Sequence, residues 1–341
     1  MAVVVTENAP IRLGLVGLGG HGRNIQAAVE TVDALHVVAV YDPDDTEAES
    51  AAQRFDCPAA ASYEALLATP TLDAVALITP NAIHRAQAEA AFEAGLDVFV
   101  EKPIANTVAD GRAMIEAAAQ AERVLMVGHN IRYGRAARQA KDLLDQGRIG
   151  EVVSLEIQYS ADNIQKGTHE GWRFQPGLCP LLPMMQLGIH AVDLAQYLLG
   201  PIRKATARAR SVLAPPGIID NVTGLLVFES GIVGTAISNY CTPDLFQIRL
   251  SGTAGVMVVD WIPHWLTVQP RGSRTLDPEV YDFERYAGED LVLEMQAFAE
   301  AVRNRSAPET DGAVGLRALA VVEAMEQSAR HERPTPVATD R

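Results

Sequence analysis

Apolar residues are distributed along this chain in two textures. Up to about residue 128, short continuous apolar runs alternate with longer segments in which apolar residues recur at helical spacing. The runs are 11–16, 36–41, 73–78, 97–100 and 123–128, and the helical segments lie at about 20–32, 82–94 and 108–121. Unbroken apolar strands separated by helices indicate a parallel sheet covered on both faces, because such strands have no wet side. The pattern predicts an α/β fold beginning with a doubly wound domain of strand order 3-2-1-4-5.

Beyond Ala136 a helix runs to about 146, closed by Gly147 and Gly150, and the runs then lengthen: 152–160, 204–212, 222–228, 232–240, 247–251 and 255–260. Turn signals such as Glu229-Ser230-Gly231 and Gly252-Thr253-Ala254-Gly255 join several of them. Helices at 189–199, 289–305 and 312–330 complete a second α/β domain, expected to carry a large, mostly antiparallel open sheet. Residues 333–341, with two prolines, read as a loose end. There is no internal repeat.

A chain of 341 residues exceeds one ordinary core, so two domains are expected. Their division falls at 10–128 and 129–335. Hydrophobic content of 48% with 21% charged residues suits a folded soluble protein. The formal charge of −15 argues against a nucleic-acid partner, which needs a basic face to neutralise phosphates. The first ten residues lack a basic stretch followed by an apolar one, and no run approaches a membrane span, so no membrane partner and a cytoplasmic location are expected. Cys57, Cys179 and Cys241 are odd in number and include no C-x-x-C pair, which predicts neither a disulfide framework nor a zinc knuckle. Cys179 reads as a packed side chain rather than a reactive thiol.

The chemistry concentrates where strands end. Gly17-Leu18-Gly19-Gly20-His21-Gly22 follows the first run and fits G-x-G-x-x-G: the first glycine permits a tight turn, the second lets backbone approach a pyrophosphate, and the third lets helix pack on strand. The following helix points its N-terminal amides at the phosphates. The second run ends in Asp42, about twenty residues past Gly22, where a carboxylate hydrogen-bonds an adenosine ribose. Asp42 repels a 2′-phosphate, and Asp44 and Asp45 add negative charge, so NAD is favoured over NADP. The alternative is that Asp42 only begins the turn at Pro43.

Ligands of open parallel sheets bind past the carboxyl ends of the strands. Thr79-Pro80-Asn81, with His84 one turn later, either touches the nicotinamide ribose or simply starts a helix. Glu101-Lys102-Pro103 places a lysine toward the crevice, and Pro103 restricts it to extended geometry. His129, Asn130, Arg132 and Tyr133 form a dense hydrogen-bonding run leading into the second domain. There, His190 and Asp193 share a helix face, as do Gln186 and His190 if the helix starts early enough. A single helical histidine also serves often as a core or surface residue. No third ligand near His190 and Asp193 suggests a metal.

Together these residues resemble the glucose-fructose oxidoreductase, inositol dehydrogenase and MocA family of NAD(P)-dependent oxidoreductases. The resemblance rests on the glycine turn, Asp42, Thr79-Pro80-Asn81 with His84, Glu101-Lys102-Pro103, the Trp172-Arg173 pair, Gly188-x-His190-x-x-Asp193 and the helix at 312–328. It implies a Rossmann domain, here with Gly17, Leu18, Gly19, Gly20, His21, Gly22, Asp42, Thr79, Pro80, Asn81, His84, Glu101 and Lys102 at the cofactor. It further implies an α/β substrate domain whose open sheet forms the contacts of a homodimer or homotetramer. The implied reaction is oxidation or reduction at a hydroxyl or carbonyl carbon of a sugar, amino sugar, glycoside or cyclitol. Lys102 then places substrate and His190 exchanges the hydroxyl proton, with His129, Asn130, Arg132, Tyr133, Trp172, Arg173, Gln186 and Asp193 holding the substrate.

Those residue types suit that chemistry. Hydride leaves carbon as the alcohol proton is drawn off, imidazole titrates near neutral pH, and an ammonium stabilises a developing alkoxide. Two features depart from the family pattern. Many members carry an aspartate at the place of Gln186, whose amide orients hydroxyls but accepts no proton. Cys179-Pro180-Leu181-Leu182-Pro183 replaces a glycine-rich loop, which predicts a more apolar pocket wall. A catalytically inactive dinucleotide sensor of the same fold is the alternative function.

Overall fold

The structure is a computed structural model describing residues 9–167, 171–261, 264–272, 278–286 and 288–338. The chain divides into two compact units, one running up to Asn130 and taking in Leu291–Leu316, the other made of Ile131–Asp290 and the chain from Arg317 onward.

In the first unit, strands β1 (Ile11–Val16), β2 (Leu35–Tyr41), β3 (Ala74–Leu77), β4 (Asp97–Glu101) and β5 (Leu125–Gly128) form a parallel sheet in the order β2-β1-β3-β4-β5. Helices α1 (Gly22–Val29), α2 (Asp45–Phe55), α3 (Tyr63–Leu67), α4 (His84–Glu93) and α5 (Val108–Gln120) connect them. Every residue of β3, β4 and β5 is buried, as the unbroken apolar runs require. Side chains cap the connections where sequence allows: Asp44 accepts from Thr46 N, Ser62 from Ala65 N and Thr107 from Asp110 N.

The expected order 3-2-1-4-5 is corrected, because the run at 73–78 pairs with β1 on the side away from β2. The outer place beside β2 is taken by a single bridge, Ala59 against Val40, in which Val40 N donates to Pro58 O and Ala60 N to Val40 O. So short a contact, flanked by a proline without an N–H, leaves no apolar run to read. At the opposite edge Val127 N donates to Thr310 O, and the glycines at 312 and 315 pack so tightly that a Cβ would stand 2.7 Å from Ile115 and from Val127. That return of the chain covers β5 and carries Phe298 against Phe99, with ring centroids 5.8 Å apart.

The second unit is built on nine strands: β6 (Val152–Ser160), β7 (Ile202–Arg210), β8 (Asn221–Phe228), β9 (Val233–Asn239), β10 (Leu245–Gly252), β11 (Gly255–Trp261), β12 (His264–Pro270), β13 (Glu279–Asp282) and β14 (Thr335–Pro336). Their order is β13-β12-β11-β10-β6-β9-β8-β7-β14, antiparallel throughout except between β6 and β9. Helices α6 (Arg135–Asp145), α7 (Asn163–Lys166) and α8 (Ile189–Leu199) belong to this unit, while α9 (Glu289–Asn304) and α10 (Gly312–His331) are shared along their length between the two. Burial alternates along β8 and β10, with Val222, Leu226, Phe228, Phe246, Ile248 and Leu250 inward. The register carries Leu225, Thr235, Glu156, Arg249, Val258, Thr267 and Val280 across the other face in one row.

Strands β12, β13 and β14 were not expected. The described part of the tail is not loose: Thr335–Pro336 pairs with β7, and Val337, which is buried, donates its N–H to Arg203 O.

Candidate active site

In the first unit the turn after β1 is dictated by sterics. Gly17 has φ +88°, and a Cβ there would lie 2.5 Å from Ile78 O; at Gly22 it would lie 2.2 Å from Gly17 O. Neither neighbour is a side chain that can swing away, so only glycine fits at both positions. Gly19 is different, since a Cβ there meets nothing nearer than Glu47 at 3.6 Å. Its bareness has no packing reason within the fold and suits the close approach of a ligand.

Asp42, at the end of β2, takes Leu18 N on one carboxylate oxygen at 2.6 Å and Asp44 N on the other at 2.9 Å. The residue therefore both begins the turn and holds the glycine loop, and each oxygen keeps a lone pair for a further donor. Buried Gln26 secures the loop from the helix side, Nε2 donating to Leu18 O at 2.9 Å. Sequence reading missed Gln26; an amide on the inward face of α1 is its only signal.

At the end of β4, buried Glu101 accepts from Lys102 N at 3.1 Å and meets His21 Nε2 at 3.1 Å. Burial pushes this carboxyl up, but the charge and hydrogen bond of His21, then Lys102 and His84, outweigh it and hold it below the usual carboxylate range. Glu101 thus ties the glycine turn to the segment bearing Lys102. His84 is buried with its two nitrogens 3.0 Å from Pro103 O and 2.9 Å from Thr79 O, so it joins the ends of β3 and β4. Thr79 Oγ1 donates to Gln87 Oε1 at 2.5 Å, Pro80 precedes a short 3-10 turn, and Asn81 Nδ2 donates to Asn106 Oδ1 at 2.8 Å. His129 is buried just beyond β5, and Asn130 opens the turn Asn130–Tyr133.

In the second unit His190 lies at the start of α8, entered through a π-helical turn, Met184–Gly188. The wider turn alters the expected i, i+4 relation between Gln186 and His190, and such turns concentrate at functional positions. Gly188 has no room for a side chain, since its Cβ would strike Met184 Sδ at 2.2 Å and Ser238 Cβ at 3.0 Å. Ser238 Oγ donates to Pro183 O at 2.9 Å and fixes the turn against β9.

Three residues after His190, Asp193 meets Arg132 in a two-pronged pair, Nε to Oδ2 at 3.0 Å and Nη2 to Oδ1, with side chains only 7% and 3% exposed. Arg132 also stacks over Tyr197, which accepts from Arg138 at 3.0 Å, and Arg138 lies over Tyr133. Arg132, Tyr133 and Asp193 therefore bind α8 to the turn at Asn130–Tyr133 and to α6.

The His190 ring lies 6.0 Å from that of Tyr159, which stacks on Phe246 at 4.2 Å, itself stacked on Trp261 at 4.4 Å. This aromatic row across β6, β10 and β11 was also missed; its members occur singly in separate strands. Buried Gln186 donates through Nε2 to Cys179 Sγ at 3.3 Å and accepts at Oε1 from Arg173 Nε at 3.3 Å. Arg173 lies over the ring of Trp172 at 4.6 Å. Cys179 is buried, as expected of a packed side chain.

Residues 11–129 match the oxidoreductase family with the NAD-binding Rossmann fold, and residues 137–258 match the GFO/IDH/MocA C-terminal domain. The chain is 30% identical to D-apiose dehydrogenase of Paraburkholderia graminis, over 94% of this chain and 88% of that one. It is 28% identical to the NAD-dependent scyllo-inositol 2-dehydrogenase of Bacillus subtilis, over 87% and 88%. The WlbA dehydrogenase of Bordetella pertussis, solved with NADH and UDP-GlcNAcA, superposes with a TM-score of 0.87 at 25% identity, covering 98% of this chain and 99% of that one. The family profiles and these full-length similarities show that the chain belongs to the GFO/IDH/MocA family of NAD-binding oxidoreductases.

Proposed function

We propose that this protein is an NAD-dependent dehydrogenase that moves a hydride between the nicotinamide and a CH–OH carbon of a sugar, amino sugar, glycoside or cyclitol. The observation that carries the reading is the glycine turn, in which Gly17 and Gly22 admit no Cβ, Gly19 is bare without a packing reason, and Asp42 braces the loop from below. These residues fit the dinucleotide: backbone amides and the start of α1 for the pyrophosphate, Asp42 for the adenosine ribose, and the ends of β3 and β4 for the nicotinamide half. When bound, NAD accepts or returns the hydride.

The chain's own residues handle the substrate and its proton. His190 takes the hydroxyl proton as the carbon–hydrogen bond breaks and returns it in reduction, its ring steadied by Tyr159 and its helix by Asp193 and Arg132. The Lys102 ammonium stabilises negative charge developing on the substrate oxygen. Trp172, Arg173, Gln186, His129 and Asn130 line the substrate in this reading. The inactive-sensor alternative has no observation in its favour.

Apolar side chains on the open face of the second sheet, among them Leu225, Val233, Trp265 and Val280, each 45–57% exposed, support a homo-oligomer formed through that face. Among the described residues no helix is long and apolar enough to cross a membrane, and none of their His, Cys, Asp and Glu side chains group to hold a metal ion. A cytoplasmic location and a reaction without a metal ion are part of the same proposal. The test is a panel of sugars and cyclitols with NAD and with NADP. Reduction of NAD by at least one, faster than of NADP, is expected; no reduction of either by any compound contradicts the reading.

A further inference from the structure

Among the residues assigned to substrate, the second unit holds a guanidinium that no carboxylate among the described residues answers. Arg173 donates through Nε to Gln186 Oε1 at 3.3 Å and lies over the Trp172 ring at 4.6 Å. Both partners are neutral. Gln186 is buried and fixed at its other end by Cys179, so it presents its oxygen to the arginine and carries no charge to balance it. Among the described residues no carboxylate lies within ion-pairing distance of Arg173. Asp193 is committed to Arg132 through both oxygens, and Asp244 faces Lys166. Tyr240, packed in the same region, is kept protonated by burial.

This exposed arginine lies beside a buried amide, Gln186, that stands four residues before the proposed proton carrier, and a guanidinium so placed suits a negative group. Its stacking on Trp172 fixes the plane of the fork, which leaves its remaining N–H groups able to grip two oxygens at once. The chain as a whole carries −15, so an anion is repelled at long range and needs such a local cation to be held.

We propose that the substrate carries an anionic group, a carboxylate or a phosphate, that docks on Arg173 with Gln186 as its neutral companion. The inference rests on the dehydrogenase reading for the identity of the pocket and adds the class of substrate. It makes the polyol an acid or ester, such as an aldonate, a uronate or a sugar phosphate, rather than a neutral sugar.

The test is calorimetric titration of the NADH-loaded protein with gluconate, glucuronate and glucose 6-phosphate against sorbitol and glucose, repeated with Arg173→Gln and Arg173→Lys. At least one anion is expected to bind about tenfold or more tighter than its neutral counterpart, a charge-assisted contact being worth that much. Arg173→Gln is expected to bring that ratio close to one, and Arg173→Lys to keep part of it. Gluconate or glucuronate leading identifies a carboxylate, and glucose 6-phosphate leading identifies a phosphate. Neutral compounds binding as tightly as anions overturns the proposal, as does a preference that survives in either variant undiminished. Neutral compounds being oxidised without any anion preference removes this inference and leaves the dehydrogenase. Anion preference without NAD reduction by any compound does the reverse.

Discussion

Gly17 and Gly19 stand two residues apart in the same turn, yet the structure demands glycine there for different reasons. At Gly17 a methyl group collides with the carbonyl of Ile78 at 2.5 Å and the backbone has φ +88°, so Gly17→Ala strains the fold itself. At Gly19 a methyl group has 3.6 Å of clearance, so Gly19→Ala keeps the fold and obstructs only a dinucleotide that approaches the backbone. Thermal unfolding and NAD titration separate the two. Gly17→Ala should lower both the melting temperature and affinity, whereas Gly19→Ala should melt within about 2 °C of the parent, equivalent to about 1 kcal/mol, while losing about tenfold or more in NAD affinity. A Gly19→Ala protein with unchanged affinity removes the reason given for that glycine.

At the scale of elements, α8 carries His190 and is anchored by the buried pair Arg132–Asp193, which ties the helix to the turn at Asn130–Tyr133. Removing one partner leaves an uncompensated buried charge. Asp193→Asn and Arg132→Met should each lower stability by about 3–5 kcal/mol, and the double variant Arg132→Met/Asp193→Leu by less than their sum. Urea unfolding of the three proteins measures this, and additive losses contradict a direct pair. Each of these residues stands out in the sequence, but their pairing does not, because an ion pair across 61 positions has no local signature. The π turn at Met184–Gly188 was equally hidden, although Gly188 marked where it packs. What was legible was local: five apolar runs, the glycine spacing and the carboxylate ending β2. Strands β12 and β13 follow from no run strong enough to count, and the bridge at Ala59 was too short, which is why the strand order came out shifted.

The whole molecule presents an open sheet face on which Leu225, Val233 and Val280 are exposed, with Glu156 and Arg249 facing each other at its middle. A mixed face of this kind, apolar at both ends with a cross-strand charge pair between, suits a two-fold partner that presents the same surface. If the face pairs as proposed, Leu225→Glu combined with Val233→Glu should yield monomers, because burying the new carboxylates against an apolar patch strips them of water. Light scattering after size-exclusion chromatography reads the mass. A parent protein that is monomeric at every concentration, or a double variant of undiminished mass, contradicts assembly through this face.

In the proposed reaction the Lys102 ammonium and the His190 imidazole handle the charge and the proton of an NAD-linked oxidation. The decisive measurement follows reduced nicotinamide with a turned-over polyol for the parent protein, Lys102→Met and His190→Ala, with NAD affinity measured alongside. Turnover should fall by at least about a hundredfold in each variant while NAD affinity stays within about threefold of the parent. Both variants turning over at the parent rate contradicts these roles for Lys102 and His190.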